Sequence, residues 1–263
     1  MNVVTINKIA EQTHNGCTVF FCKTDFIDGV FLTIEKLKHD VVLFTGNSDY
    51  TINENRLAGV PNNVKKWFCQ NKDVENDLLV AVPMGLENHE HLQCVPNHGF
   101  GWEHAKPKHR IIKNASKFNN RDADEFIYAN FGISTNTSIR SPVADICQST
   151  KSINCEIASS HLDNFHRDYS RYVQQILKHK MVVCPRGNGP DCHRIWETLY
   201  LNRVPIVQKH CSVNDFKELP ILYIEDWEEL RDTEHINKKY KQVKNNKKTI
   251  LSLEYWIDKI KRF

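Results

Sequence analysis

The sequence predicts an α/β fold of two Rossmann-like, doubly wound parallel sheets, and three observations carry that reading. Short apolar, β-branched runs alternate with segments of helical spacing, the pattern of parallel βαβ units. That alternation breaks once, in a polar stretch near the middle of the chain, and then resumes. The length of 263 residues suits two domains of roughly 100–150 residues, with 40% hydrophobic and 25% charged residues as in ordinary folded proteins.

In the first half, Thr18–Phe21 is a short apolar run and Phe31–His39 has helical spacing. Val41–Thr45 is a compact strand opening into the turn residues Gly46-Asn47-Ser48-Asp49. Leu57–Gln70 reads as a helix-containing stretch that Pro61 interrupts, and Leu78–Val82 as a buried strand ending at Pro83-Met84-Gly85. From Gly99 to Asp124 the pattern dissolves into a polar connection.

The second half is clearer. Glu125–Phe131 reads as a strand, Ser138–Gln148 and Asn164–His179 as helices, and Met181–Cys184 as a strand stopped by Pro185. Cys192–Leu201 follows as a helix, then the strands Val204–Val207 and Ile221–Ile224. Asp226 is placed to cap a helix through Leu230, and Thr249–Ile260 is an amphipathic terminal helix. The expected division is therefore 1–105, a linker over 106–122, 123–248, and a terminal segment 249–263 packing back on the first domain.

Composition excludes several functions. Thirty-five basic against 32 acidic residues give a net charge of +3, too little for nucleic-acid binding unless clustered. The one basic cluster, Lys238–Lys248, reads as a solvated helix face. No apolar run approaches the ~18–20 residues that cross a bilayer. The first residues do not form a signal peptide, and nine cysteines, an odd number, read as reduced packing thiols. A cytoplasmic location is expected.

The chemistry concentrates between Val183 and Glu197. A buried strand runs into the loop Cys184-Pro185-Arg186-Gly187-Asn188-Gly189-Pro190-Asp191, which opens a helix through Cys192, His193, Arg194 and Glu197. Ligands of open α/β sheets bind beyond the carboxyl ends of strands. Gly187 and Gly189 permit close backbone approach, and the helix N-terminus favours an anion. Arg186 and Arg194 suit phosphate oxygens; Glu197, three positions after Arg194, is placed to accept from ribose hydroxyls. Asn188 and His193 complete the expected nucleotide pocket.

Pro185-Arg186-Gly187, His193-Arg194-Ile195-Trp196-Glu197-Thr198-Leu199 and Val204-Pro205-Ile206-Val207 resemble the donor-binding signature of exostosin-like glycosyltransferases, of the kind found in large DNA viruses of algae as well as in cells. Weaker matches run in order through Phe44–Tyr50, Lys66–Asn71, Val82–Glu87, Asn130–Arg140 and Ile224–Trp227. The resemblance implies the GT-B architecture, two Rossmann-like domains facing a central cleft. It also implies a nucleotide-sugar donor, a glycan or glycoprotein acceptor, and no metal or other cofactor. If the source is viral, host cytoplasm is the implied location. The implied reaction is inverting transfer from a UDP-sugar, UDP-xylose being the specific expectation and GDP-fucose the alternative. Arg140 resembles an arginine that contacts donor phosphates in related transferases. Inverting transfer needs a base on the opposite domain, for which Asp49 is the first candidate and Glu87 the second.

Other readings are weaker. Asp122-Ala123-Asp124 matches the Asp-X-Asp pattern of manganese-dependent transferases but precedes a strand instead of following one, which fits a loop or a cap. His89, His91, His98, His104 and His109 with Cys94 lack the paired spacing of a zinc site. A non-catalytic nucleotide-sugar-binding protein also fits the pocket residues, whereas no Gly-X-Ser-X-Gly nucleophile motif supports a hydrolase.

Overall fold

The computed structural model describes residues 19–87, 105–117, 123–158, 169–260 and 262. Two wholly parallel sheets dominate it. The first contains β1 (Val19–Lys23), β2 (Val41–Gly46), β3 (Val64–Cys69) and β4 (Leu79–Ala81), side by side in that order. The second contains β5 (Glu125–Ala129), β6 (Ile153–Cys155), β7 (His179–Val183), β8 (Val204–Gln208) and β9 (Leu222–Ile224), in spatial order β6-β5-β7-β8-β9. The helices are α1 (Ile27–Ile34), α2 (Glu54–Ala58), α3 (Ala105–Lys117), α4 (Thr137–Ser149), α5 (Tyr169–Lys178), α6 (His193–Tyr200), α7 (Cys211–Asn214), α8 (Thr233–Val243) and α9 (Leu253–Ile260). None of the described helices is long and apolar enough to cross a membrane.

Both sheets are covered on both faces, as parallel sheets require. Along β2, Val41 and Leu43 join one apolar cluster with Ile27, Phe31 and Ile34 of α1. Val42 and Phe44 point the other way, into a cluster shared with the second sheet. The same alternation splits β7: Met181 and Val183 pack with α4, while Val182 enters the shared cluster. That shared cluster includes Phe44 and Phe68 from the first sheet, Trp196 and Leu199 from α6, and Trp256 and Ile260 from α9. A buried ion pair joins the sheets too. Lys72 Nζ lies 2.9 Å from Asp215 and 2.8 Å from Glu75, with its own side chain 3% exposed.

Several elements differ from expectation. Leu57–Gln70 is not a broken helix: α2 ends at Ala58 and Val64–Cys69 is a strand. Trp67 meets Phe31 edge-on at 5.5 Å on one face, while its neighbour Phe68 stacks on Phe44 at 4.7 Å on the other. Consecutive aromatics buried on opposite faces need strand geometry; a helix would set them about 100° apart. The expected linker 106–122 is helical over Ala105–Lys117, with Ile112 buried. Pro107 stands in the first turn, where its missing N–H costs nothing. The short strand β6 had no apolar run to announce it. Asp226 does cap, with Glu229 completing a capping box, but the segment it starts, Trp227–Arg231, is a 3-10 helix.

Candidate active site

Numbered along the chain, the second sheet has order 2-1-3-4-5. The connection from β5 runs to one side and that from β7 to the other, so the topological switch point lies between them. A cleft of about 790 Å³ opens there, within the range of small-molecule sites. The loops after β5 and β7 supply Asn130, Gly132, Thr135, 187–189 and 191–193; the first sheet supplies Asp49, Met84 and Glu87.

The loop after β7 is held from beneath. Arg140, on α4 and 5% exposed, donates from Nε to Arg186 O at 2.9 Å, from Nη1 to Gly132 O at 2.8 Å and from Nη2 to Pro185 O at 3.4 Å. Asn136 Nδ2 donates to Gly187 O at 2.8 Å. Burial and the nearby Arg194 push the Arg140 guanidinium down to about 10, which leaves it charged at neutral pH. Arg140 does line the cleft, as expected, but three of its five N–H groups serve main-chain carbonyls. It acts first as a clamp on the loop. Gly189 is favoured for a different reason from the one expected: a Cβ there would lie 2.8 Å from Asn71 Nδ2, so the space is filled by the protein's own amide. At Gly187 a Cβ would sit 3.4 Å from Arg140 Nη2.

Arg194 lines the cleft and Arg186 stands in the loop beside it; both are half-buried, and among the described residues the Nε of each is buried without a hydrogen-bond partner. Cys192 precedes α6 and no side chain caps that helix; Ile195 N donates to Cys192 O at 3.1 Å, which leaves the His193 and Arg194 amides to face an anion. His193 Nδ1 lies 2.8 Å from Gly85 O; a carbonyl only accepts, so Nδ1 carries the proton and Nε2 is the free position. One turn further, Glu197 accepts from Tyr169 Oη at 2.8 Å and Tyr172 Oη at 2.9 Å. Cys184 and Cys192 are packing thiols: burial raises both above the ordinary thiol value.

The first sheet forms the facing wall. Asp49 is exposed after β2 and accepts from Asn188 Nδ2 at 3.1 Å, a bond across the cleft. Glu87 is tied to α3, its carboxylate 2.6 Å from Lys108 Nζ and its carbonyl 2.6 Å from His109 Nε2. All ten sequence-predicted residues are thus found together, nine on the cleft lining and Arg186 in the same loop. Asp191 was missed. It is 3% exposed and accepts from Met84 N at 2.8 Å and from Trp196 Nε1 at 2.8 Å, while its own N–H donates to Asn71 Oδ1 at 3.2 Å. Burial raises its carboxyl to about 6, outweighing those donors and His193. Tyr169 and Tyr172 were missed as well; their i, i+3 spacing at the start of a helix was the available signal.

Asp124 precedes β5, away from the cleft lining, and Asp122 lies outside the described residues, as do His89, His91, Cys94, His98 and His104. Among the described residues no group of three or more His, Cys, Asp or Glu could hold a metal ion.

Two parallel α/β sheets facing a cleft at the switch point have the GT-B architecture, and the cleft lining is mixed in charge, with Lys108, Arg140, Arg171 and Arg194 among five carboxylates. The family model described as RXYLT1 C-terminal domain matches residues 111–262, and the chain belongs to that family. The match contains every candidate on the arginine wall; Asp49 and Glu87 lie before it. Among solved structures, the crystal structure of alpha1,3-fucosyltransferase with GDP-fucose is similar at 12% identity, over 98% of this chain and 95% of that one, with a TM-score of 0.42. The wall teichoic acid polymerase TagF is similar at 7% identity, over 97% and 90%, with a TM-score of 0.30. No curated protein matches the chain.

Proposed function

We propose that the protein is an inverting glycosyltransferase that moves a sugar from a nucleoside-diphosphate donor to a hydroxyl of a glycan or glycoprotein. One observation carries the reading: Arg194, its Nε buried without a partner among the described residues, lines the switch-point cleft at an uncapped helix N-terminus, with Arg186 in the adjoining loop and a fixed carboxylate one turn beyond. The first group suits a diphosphate and the second a ribose.

In the reaction, the acceptor oxygen attacks the anomeric carbon from the face opposite the diphosphate. The new C–O bond forms as the bond to the diphosphate oxygen breaks, and the acceptor proton passes to a carboxylate on the first-sheet wall. Negative charge gathers on the leaving diphosphate, where Arg186, Arg194 and the α6 amides stabilise it without a metal. Asp49 is the base in this reading, because its cross-cleft partner among the described residues is a neutral amide, whereas the Glu87 carboxylate already faces the Lys108 ammonium. The donor is a UDP-sugar, with UDP-xylose the first to try.

A panel of UDP- and GDP-sugars, read by thermal shift and then by acceptor-dependent turnover with and without EDTA, tests the proposal. The expected result is stabilisation by a UDP-sugar and turnover that persists in EDTA. No shift with any nucleotide sugar overturns the donor site. Activity lost in EDTA and restored by manganese overturns the metal-free mechanism and returns attention to Asp122 and Asp124. Binding and slow hydrolysis with no acceptor dependence overturns transfer.

A further inference from the structure

Glu197 is held in an unusual way for a carboxylate beside an arginine-lined cleft. Each of its oxygens accepts from a phenol, Tyr169 Oη on Oε1 at 2.8 Å and Tyr172 Oη on Oε2 at 2.9 Å. The two tyrosines stand at i and i+3 in the first turn of α5, and so share one face of that helix. They are braced in turn: the Lys108 ammonium lies 5.4 Å from the Tyr169 ring centre, and the Tyr172 ring packs at 5.5 Å from Tyr169 and 6.5 Å from Tyr128. Glu197, Tyr169 and Tyr172 all line the cleft.

A carboxylate offers about four lone-pair sites. The phenols occupy one on each oxygen and leave one on each. Because both oxygens are fixed, the remaining pair forms a bidentate acceptor of set direction, the complement of two neighbouring hydroxyl donors. A freely rotating glutamate would bind a diol too, but would lose rotamer entropy on each encounter. Neutral donors fix the carboxylate without cancelling its charge, so its bonds to a ligand remain charge-assisted.

We propose that Tyr169 and Tyr172 are positioning residues that set Glu197 to grip the vicinal 2′- and 3′-hydroxyls of the donor ribose, so that the site selects ribonucleotides over 2′-deoxyribonucleotides. The inference rests on the nucleotide-sugar reading above. A site built to bond a hydroxyl rejects the analogue lacking it, because a buried acceptor is then left unpaired.

The experiment titrates UDP and 2′-deoxy-UDP, and GDP with 2′-deoxy-GDP, by calorimetry into the wild-type chain, Tyr169→Phe, Tyr172→Phe and Glu197→Asp. Phenylalanine keeps the ring packing and removes only the hydroxyl. Aspartate keeps the charge but draws it back by one methylene, which gives a variant that leaves both tyrosines intact. The wild type is expected to prefer the ribonucleotide by roughly 10-fold or more. Each substitution is expected to weaken the ribonucleotide more than the deoxy form, which has only its 3′-hydroxyl to lose from Glu197, so that the preference falls to within about 3-fold. A variant that weakens both nucleotides equally, with the ratio preserved, reduces the tyrosines to packing and overturns the proposal; so does a wild type that binds both sugars alike. A wild type that binds none of the four nucleotides overturns the donor reading itself, a result distinguishable from the other two.

Discussion

Replacing Asp191 by asparagine isolates a carboxyl whose titration is coupled to the joint between the sheets. Asp191 is 3% exposed and accepts from Met84 N, beyond β4, and from the Trp196 indole on α6. Burial raises its carboxyl from 3.8 to about 6. Between those values the folded chain holds a proton that the unfolded chain releases, so stability must fall as pH rises through the window. At ~1.4 kcal/mol per pKa unit the loss totals about 3 kcal/mol, of which about 2.5 kcal/mol falls between pH 4 and pH 7.5. Asn cannot ionise and lacks this slope. It also leaves one N–H donor facing an amide nitrogen, a cost of about 1–3 kcal/mol that does not vary with pH. Glu229, which Lys239 and nearby main-chain donors hold down at about 2 despite burial, loses stability on acidification instead, but equally in both proteins. Urea unfolding followed by tryptophan fluorescence at half-unit steps should therefore show the wild type losing ground to Asp191→Asn by about 2.5 kcal/mol from pH 4 to pH 7.5. Parallel curves would refute the reasoning, since Asp191 would then titrate in the folded chain as it does in the unfolded one.

Arg194→Ala should weaken nucleotide binding by roughly 10- to 150-fold in calorimetry, the worth of a charge-assisted contact of about 1.5–3 kcal/mol; unchanged affinity would remove Arg194 from the donor site. Asp49→Asn should bind the donor normally and turn over roughly 10²–10⁴-fold more slowly, and near-wild-type turnover would pass the role of base to Glu87. Gly189→Ala should lower stability by about 1–3 kcal/mol in thermal melts, because its Cβ would meet Asn71 Nδ2 at 2.8 Å. The same substitution should cost clearly less in an Asn71→Ser background than in the wild type, and equal costs in the two backgrounds would show that Asn71 is not the obstacle.

Much of the arginine wall was legible in the sequence for a local reason. The unit β7-loop-α6-β8 spans residues 179–208, and its strand, glycine loop and helix announce themselves by composition alone. Its position at the switch point follows from the strand order, which the folded sheet supplies. What was not legible depends on distant partners. Val64–Cys69 shows no period of two because Trp67 and Phe68 are both fully buried, on opposite faces. Arg140 was correctly placed at the cleft from its position after a strand, yet only the folded loop shows which carbonyls it serves. Asp191 follows Gly189-Pro190 and reads as turn chemistry; its partners are 107 and 5 positions away. The phenols on Glu197 come from 28 and 25 positions upstream.

The bonds that join the sheets fall on the same few residues as the site. Asn71 fills the space beside Gly189 and accepts from the Asp191 N–H, while its own Nδ2 donates to Ser48 O, next to Asp49. Asn71 itself has a φ of 54°, a left-handed conformation that asparagine tolerates better than bulkier residues. His193 donates to Gly85 O two residues before Glu87, and Asp191 accepts from Met84 N. Each candidate base is therefore held within two residues of a contact that also fixes the donor loop. The spacing between the two candidate bases and the loop after β7 is held by these short links. A change at Asn71, which is 2% exposed and touches no candidate catalytic group, should consequently shift Asp49 and the loop from Gly187 to Asp191 together. Inverting transfer has a geometric need for such a link, because the attacking hydroxyl and the leaving diphosphate must lie on opposite faces of one carbon, and a misplacement of about 1 Å can cost roughly 10²-fold in rate.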